Sequence, residues 1–194
     1  MASMFKRYPP PSRRVIYFAR EAALHAGVNA IDSTHILSGL LMEESTRVNK
    51  LFHLADRFPE QAARLRSLAK FSQPRDIPLA KEGKRILAQA AEEANRLDDY
   101  WIDTDHLMLG ILSQESSAGA IMLHGIGLGI SEARGVIAKT SPREDFGPEP
   151  ALWWLEKPIT RIGKWTGLLY LLGVITLIRL LTEHSCILPL IRQK

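Results

Sequence analysis

Residues 31–41 read Ile-Asp-Ser-Thr-His-Ile-Leu-Ser-Gly-Leu-Leu, and residues 102–112 read Ile-Asp-Thr-Asp-His-Leu-Met-Leu-Gly-Ile-Leu. When the chain is shifted by 71 residues, positions 12–44 align with positions 83–115 without a gap, and ten of them are identical. Because His and Gly, two of the less common residue types, are among the identities, chance overlap explains them poorly. The sequence therefore predicts a tandem duplication.

Apolar residues recur every three or four positions in each copy, which predicts amphipathic helices. In the second helix of each copy the apolar stripe contains Gly39 or Gly110, at a cost of about 1 kcal/mol relative to Ala, so we predict a close helix crossing at both. Ser33 and Thr104 are the predicted caps of these helices. Since no stretch alternates with period two, we predict an all-α fold of about eight helices in two tandem four-helix repeats, followed by a single transmembrane helix.

Prolines divide the chain into segments. Pro74 and Pro78 separate a first copy at about 8–71 from a second at about 79–140, which together form a double repeat domain over residues 8–140. Further prolines predict a linker over residues 141–152. A basic and aromatic segment (153–164), an apolar segment (165–182) and a short tail (183–194) follow.

The apolar segment carries no charge between residues 165 and 178. As a helix, residues 165–182 would be about 27 Å long, close to the roughly 30 Å of a bilayer core. A single membrane span is therefore predicted, with interface residues Trp153, Trp154, Trp165 and Arg179. A competing interpretation is an amphipathic helix that packs on a partner or lies in the membrane interface. Because the first residues do not resemble a signal peptide, we expect the N-terminal domain on the cytoplasmic side.

The net charge of +4 and the pI of about 9.3 come from the two ends of the chain. Residues 8–140 hold 16 basic and 16 acidic residues, so they carry no net charge. A neutral domain is a poor phosphate-backbone binder, and no nucleic-acid partner is expected. The single cysteine, Cys186, excludes a disulfide framework within the chain and a cysteine-rich zinc site.

His35 and His106 each lie just inside a predicted helix start. Neither has a second His, Cys or carboxylate at metal-ligand spacing in a comparable setting, so we interpret both as structural residues that tie the first helical turn to the preceding loop. The glycine-rich stretch at 125–129 lacks the spacing of a dinucleotide-binding loop, and nothing resembles a nucleophile elbow. We therefore expect neither a cofactor nor a metal, and no enzymatic activity.

Six acidic residues fall within 14 positions around the second-copy turn: Glu92, Glu93, Asp98, Asp99, Asp103 and Asp105. One interpretation is a solvated face with loop caps. The other is an acidic rim that attracts basic or unfolded peptides, with Trp101 and Tyr100 beside it. Residues 28–30 of the first copy contain no aromatic residue, so any peptide site should be asymmetric.

The doubled segment resembles the N-terminal domain of Clp ATPases, whose two copies characteristically show Ile-x-Thr-Glu-His-Ile/Leu-Leu-Leu-Gly-Leu. The resemblance implies a pseudo-twofold helical domain that receives substrate proteins or adaptors for ATPase rings without itself being catalytic. Where the family has Glu, this chain has Thr34 and Asp105. In some members this acid helps to bind phosphorylated arginine. Asp105 is therefore the predicted partner-binding acid, with Trp101 and Tyr100 beside it and the uncharged Thr34 as its counterpart.

The sequence contains no Gly-x-x-x-x-Gly-Lys-Ser/Thr loop, so we expect the docking domain without the ATP-binding motor. The predicted function is non-enzymatic: a membrane-anchored protein that docks substrate proteins or adaptors for Clp-type proteolysis or chaperoning. Its partner would be a Clp ATPase or protease, an adaptor or a substrate polypeptide. The alternative is a soluble accessory subunit of a Clp machine that inserts residues 165–191 into an apolar groove of it.

Overall fold

The computed structural model describes residues 5–67, 76–140 and 146–147. These residues contain no β-strand apart from one isolated parallel bridge between Ile31 and Leu79, and the all-α prediction is confirmed. The helices are α1 (Pro10–His25), α2 (Ser33–Met42), α3 (Arg47–Phe52), α4 (Leu54–Arg57), α5 (Pro59–Ser67), α6 (Lys81–Arg96), α7 (Thr104–Leu112), α8 (Ala118–Gly125) and α9 (Ile130–Lys139).

The two copies keep the same spacing along their described length. Helices α1, α2, α3 and α5 begin at residues 10, 33, 47 and 59, and α6, α7, α8 and α9 begin 71 residues later, at 81, 104, 118 and 130. The additional helix is α4, a single turn that follows His53, whose backbone is left-handed with φ of 49°. The described part of the chain therefore holds one helix more than the eight or so expected.

Each copy has a helix crossing at a glycine. A Cβ atom on Gly39 would lie 2.2 Å from the Val15 carbonyl oxygen of α1, and one on Gly110 would lie 2.5 Å from the Ile86 carbonyl oxygen of α6. A side chain at either position would push the helices apart, so glycine sets their separation. Helix α7 lies at the centre of the domain, because all of its residues are buried and it packs on α6, α2, α3, α8 and α9.

The N-cap residues of α2 and α7 are Asp32 and Asp103, so the predicted caps Ser33 and Thr104 are wrong. The Asp32 carboxylate accepts hydrogen bonds from the amides two and three residues later, at 2.9 and 3.2 Å. The Asp103 carboxylate accepts one from the next amide, at 2.6 Å. A carboxylate also interacts with the positive end of the helix dipole, which a hydroxyl does not. The hydroxyl residues occupy the first helical position instead.

Among the described residues, no single helix is long and apolar enough to cross a membrane. The pair α8 and α9, bent by 73° at their break, meets the length and composition required, but Leu123 of α8 and Ile137 of α9 are buried in the core. The predicted interfacial segment, transmembrane helix and tail, with Trp153, Trp154, Trp165 and Arg179, lie outside the described residues.

Candidate partner-binding site

The loops that join the first two helices of each copy have the same backbone fold. Gly27 and Asp98 occupy equivalent positions with left-handed backbones, at φ of 70° and 63°. The next amide in each loop donates to a carbonyl five residues earlier, from Val28 to Ala23 at 3.1 Å and from Asp99 to Ala94 at 2.8 Å. What differs between the loops is therefore their side chains.

Each of these loops is held by the segment that precedes the first helix of the other copy. The Ile31 amide donates to the Pro78 carbonyl at 2.9 Å, and the Ile102 amide donates to the Arg7 carbonyl at 2.7 Å. The second-copy loop is also fixed by a side chain from that segment. The Arg7 guanidinium donates to the Tyr100 carbonyl at 2.8 Å and to the Asp99 carbonyl at 3.1 Å.

Tyr100 and Trp101 form an aromatic pair on this fixed loop. Their rings meet edge to face with centroids 4.8 Å apart, and Arg7 lies over the Tyr100 ring at 5.6 Å. Tyr100 is buried, whereas Trp101 is half-buried and its indole N–H has no hydrogen-bond partner. The ring of Phe146, from the predicted linker, meets Trp101 edge to face at 6.4 Å. The structure thus brings two of the predicted partner-binding residues together and places a linker residue against one of them.

Asp105, the predicted partner-binding acid, is not on the surface. Its side chain is 0% exposed and pairs with Arg47 at the start of α3, with an N–O distance of 3.1 Å. Its second oxygen accepts a hydrogen bond from the His106 amide at 2.9 Å. Arg47 also donates to the carbonyl groups of Ile137 and Thr140 at the end of α9. The expectation that the carboxylate at this position is partly exposed is wrong, because it is buried against an arginine of the first copy.

The two histidines tie the helix starts to their cap residues. Nδ1 of His106 accepts a hydrogen bond from the Asp103 amide at 3.0 Å, so the proton of the neutral ring lies on Nε2, which faces the Asp99 carboxylate at 3.0 Å. Nδ1 of His35 accepts from the Asp32 amide in the same way, at 3.3 Å. Val28 occupies the position equivalent to Asp99, and His35 Nε2 has no hydrogen bond to a described residue.

Thr34, the counterpart of Asp105, is half-buried and borders a groove of about 290 Å³ between the end of α1, the start of α2 and α5. This first-copy groove is also lined by Ala22, His35, Ser38 and Arg64. The structure therefore separates the predicted site residues into two regions, because Thr34 lies at the groove and Trp101 and Tyr100 lie on the second-copy loop.

The second-copy residue equivalent to Ala22 of the groove takes part in a buried ion pair. Glu93 and Arg134, which correspond to Ala22 and Ala63, form a two-pronged ion pair with N–O distances of 2.9 and 2.7 Å. Glu93 is 1% exposed, and the cap residue Asp103 is 4% exposed. Because Asp105 is buried as well, the acidic-rim interpretation is wrong for these three residues.

Sequence reasoning missed two features of the site. Nothing distinguished Arg47 from the other arginines, because its partner Asp105 lies in the other copy. The Glu93–Arg134 pair did leave a signal, since two alanines of the first copy are replaced together by residues of opposite charge. Within the described residues, no three His, Cys, Asp or Glu side chains form a group that could hold a metal ion.

Residues 7–126, more than half of the chain, match the family described as the Clp repeat N-terminal domain. The chain belongs to this family. The match runs from the segment before α1 to the end of α8, so it includes both residues 31–41 and residues 102–112, and the relationship inferred from them is confirmed.

The Clp repeats are similar to those of large curated proteins. Chaperone protein ClpB of Oceanobacillus iheyensis is 27% identical over 136 residues, which are 68% of this chain and 17% of ClpB. The negative regulator of genetic competence ClpC/MecB of Bacillus subtilis is 25% identical over 151 residues, which are 76% of this chain and 19% of that protein. This chain therefore spans less than a fifth of the length of these relatives.

Solved structures show the same fold. The N-terminal domain of the chaperone ClpD from Arabidopsis thaliana has a TM-score of 0.51 at 19% identity and covers 68% of this chain, with 95% of its own length matched. The N-terminal domain of the ClpV1 ATPase from the E.coli EAEC Sci1 T6SS has a TM-score of 0.53 at 20% identity and covers 77% of this chain, with 94% of its own length matched. At these identities the likeness is one of fold.

Proposed function

We propose that this chain is a non-catalytic docking protein whose Clp repeat domain binds a substrate polypeptide or an adaptor for Clp-type proteolysis or chaperoning. The observation that carries the proposal is the family match over residues 7–126 in a sequence without an ATP-binding Gly-x-x-x-x-Gly-Lys-Ser/Thr loop. Its curated relatives include a chaperone and an ATP-binding subunit of Clp protease, and they share the repeat domain. A docking role follows from that domain.

The geometry of the repeat domain supports binding rather than catalysis. The equivalent histidines of the two repeats, His35 and His106, hold the cap residues of α2 and α7. The surface offers a groove at Thr34 and an aromatic pair on a loop that Arg7 fixes. Concave and aromatic surfaces of this kind suit polypeptide segments.

The apolar segment supplies a second part of the proposal, which is a tether to a membrane with the repeat domain on the cytoplasmic side. Residues 165–178 carry no charge, and tryptophans flank the segment on its N-terminal side. A helix over residues 165–182, which extends this uncharged stretch through Arg179, would be about 27 Å long and approaches the thickness of a bilayer core. The proposed arrangement keeps the docking domain close to membrane-bound clients.

The docking role is tested by crosslinking the full chain in native membranes and identifying the crosslinked proteins by mass spectrometry. We expect a Clp ATPase, a Clp protease subunit, an adaptor or a set of unfolded clients. Arg47→Ala, which removes the buried partner of Asp105, should abolish the crosslinks by disrupting the domain. Crosslinks that are the same for this variant and the unchanged chain, or that contain no such protein, would contradict the docking role.

The membrane tether is tested separately by carbonate extraction. The unchanged chain should stay in the membrane pellet, and a variant with Leu171→Arg and Leu172→Arg should move to the supernatant, since charges in the middle of a span are costly. Recovery of the unchanged chain in the supernatant would overturn the tether and favour a soluble accessory subunit.

A further inference from the structure

The residues in and next to the first-copy groove are smaller than the residues at the equivalent positions of the second copy. Ala22 stands where the second copy has Glu93, and Ala63 stands where it has Arg134. Ser38, which lines the groove, corresponds to Leu109, a fully buried residue of α7. The helices around the two places begin at equivalent residues. The second copy therefore shows which chemistry completes this packing arrangement: a carboxylate, a guanidinium and an aliphatic side chain.

The first-copy groove has a cation of its own at the next position of α5, since Arg64 corresponds to Gly135 and follows Ala63, the counterpart of Arg134. Arg64 on α5 is exposed, lines the groove and forms no ion pair with a described residue, whereas Arg66 on the same helix pairs with Glu44 at 2.6 Å. His25 and His35 also line the groove. The aliphatic surface available to an incoming side chain comes from Leu65.

No carboxylate is found among the described residues that line the groove. The nearest acid on α2 is its cap residue, Asp32, which is engaged within the helix start. Asp32 Oδ1 accepts from the Thr34 hydroxyl at 2.6 Å and lies 2.7 Å from Nδ1 of His35. The groove therefore presents one free guanidinium, two imidazoles and a small apolar wall.

We propose that the first-copy groove binds a segment of a partner polypeptide that presents a carboxylate beside an aliphatic side chain such as Leu. The carboxylate pairs with Arg64 and the aliphatic side chain packs on Leu65, as Glu93 pairs with Arg134 and Leu109 is buried within the second copy. This inference rests on the proposed docking function and gives its ligand a charge: the bound segment is acidic, not basic.

The first test measures binding of a labelled, soluble peptide that consists of Gly and Ser except for a central Leu flanked by Glu. Fluorescence anisotropy is recorded with the full chain in lipid nanodiscs. Arg64→Glu should weaken binding about tenfold, because an exposed ion pair is replaced by a repulsion of similar size. The matched control is Arg66→Glu, two residues along the same exposed helix, which should change the dissociation constant less than about twofold. A peptide with Lys in place of Glu should not bind.

The second test closes the groove from within. The double variant Ala22→Glu, Ala63→Arg copies the Glu93–Arg134 pair into the first copy. We expect it to lose peptide binding completely while it unfolds at the same temperature as the unchanged chain or a higher one. The thermal unfolding curve keeps this test informative, since a variant that failed to fold would melt early, and Arg64→Glu then carries the test alone.

The outcomes separate this inference from the docking function. If the chain gives Clp or client crosslinks but does not bind the acidic peptide, or binds it equally well after Arg64→Glu, the groove inference is overturned and docking stands. Equal weakening by Arg64→Glu and Arg66→Glu would indicate diffuse attraction to a charged surface and would also overturn it. The absence of both crosslinks and peptide binding would overturn both proposals.

Discussion

The starts of α2 and α7 share one backbone arrangement but direct their polar side chains differently. At the start of α7, Asp105 is buried and meets Arg47 of the first copy, and His106 lies between its cap residue and Asp99. At the start of α2, Thr34 and His35 border an open groove. The start of α7 thus joins the two copies through a buried ion pair, whereas the start of α2 meets the second copy through Ser33, which bonds to Glu82 and Gly119, and leaves Thr34 at the groove. A repeated motif therefore need not have a repeated role.

The largest expected effect comes from the buried ion pair at the start of α7. Arg47→Ala leaves a fully buried carboxylate without its partner, which should lower the free energy of unfolding by about 3–5 kcal/mol. Thr34→Ala, at the first-copy counterpart of Asp105, should cost less than about 1 kcal/mol. Denaturant unfolding of both variants measures the difference.

Removing both charges is the control for that comparison. The double variant Arg47→Met, Asp105→Leu should recover most of the loss, because the cost comes from an unpaired buried charge and not from the lost attraction. Equal losses for Arg47→Ala and Thr34→Ala would mean that the two helix starts are energetically alike.

The helix crossings should respond alike in both copies. Gly39→Ala and Gly110→Ala each place a Cβ within 2.5 Å of a backbone oxygen and should destabilise the fold by about 1–3 kcal/mol through forced separation of the helices. Gly135→Ala on α9, where nothing lies within 4 Å, should gain up to about 1 kcal/mol from helix propensity. A tolerated Gly110→Ala would show that the α6–α7 pair relaxes where the α1–α2 pair does not.

A smaller difference is expected between the two left-handed loop positions. Gly27→Ala should cost about 1 kcal/mol, because φ of 70° is unfavourable for a residue with a Cβ atom. Gly27→Asp, which copies the second-copy residue Asp98, should cost less than about 0.5 kcal/mol, since Asp tolerates this conformation. Thermal melts of the two variants test this. Comparable changes in both would contradict the equivalence of the loop backbones.

The smallest effect concerns pH and the exposed helix start. Burial raises the pKa of Asp32, but the Thr34 hydroxyl, the nearby His35 and two amide hydrogen bonds outweigh it, so the net pKa lies below its ordinary value of 3.8. The group therefore stabilises the fold fully above that value and ceases to do so as the pH falls through the folded-state pKa. Asp32→Asn should flatten the acid part of the stability profile, and Thr34→Ala should flatten it partly. An unchanged profile for Asp32→Asn would be incompatible with this account.

The sequence predicted what depends on local periodicity. Spacing along one helix predicts the helices around residues 31–41 and 102–112 and the glycines at their crossings. The 71-residue shift predicts the duplication. The choice of Asp32 and Asp103 as caps did not follow, because adjacent polar residues compete for the same role and only the backbone geometry decides between them.

The site was harder to predict because its decisive contacts cross from one copy to the other. The sequence predicts that Asp105 is an accessible acid at a helix start. In the structure Arg47, 58 residues away in the sequence, pairs with it. The groove at Thr34 is lined by Ala22, where the second copy has the buried, ion-paired Glu93. Contacts of this kind leave no periodic trace in a single sequence, although the comparison of aligned repeat positions does record them as paired changes.

Each copy holds a loop of the other copy through the segment before its first helix, and this arrangement has a consequence for folding during synthesis. The amide and carbonyl of Ile31 can bond to Pro78 and Ala80 only after the segment before α6 has left the ribosome. Arg7 forms its hydrogen bonds later still, since the amide and carbonyl groups to which it bonds lie between residues 99 and 102. Such distant pairings slow folding. Arg7 therefore cannot be fixed in place until the loop at residues 99–102 has been made.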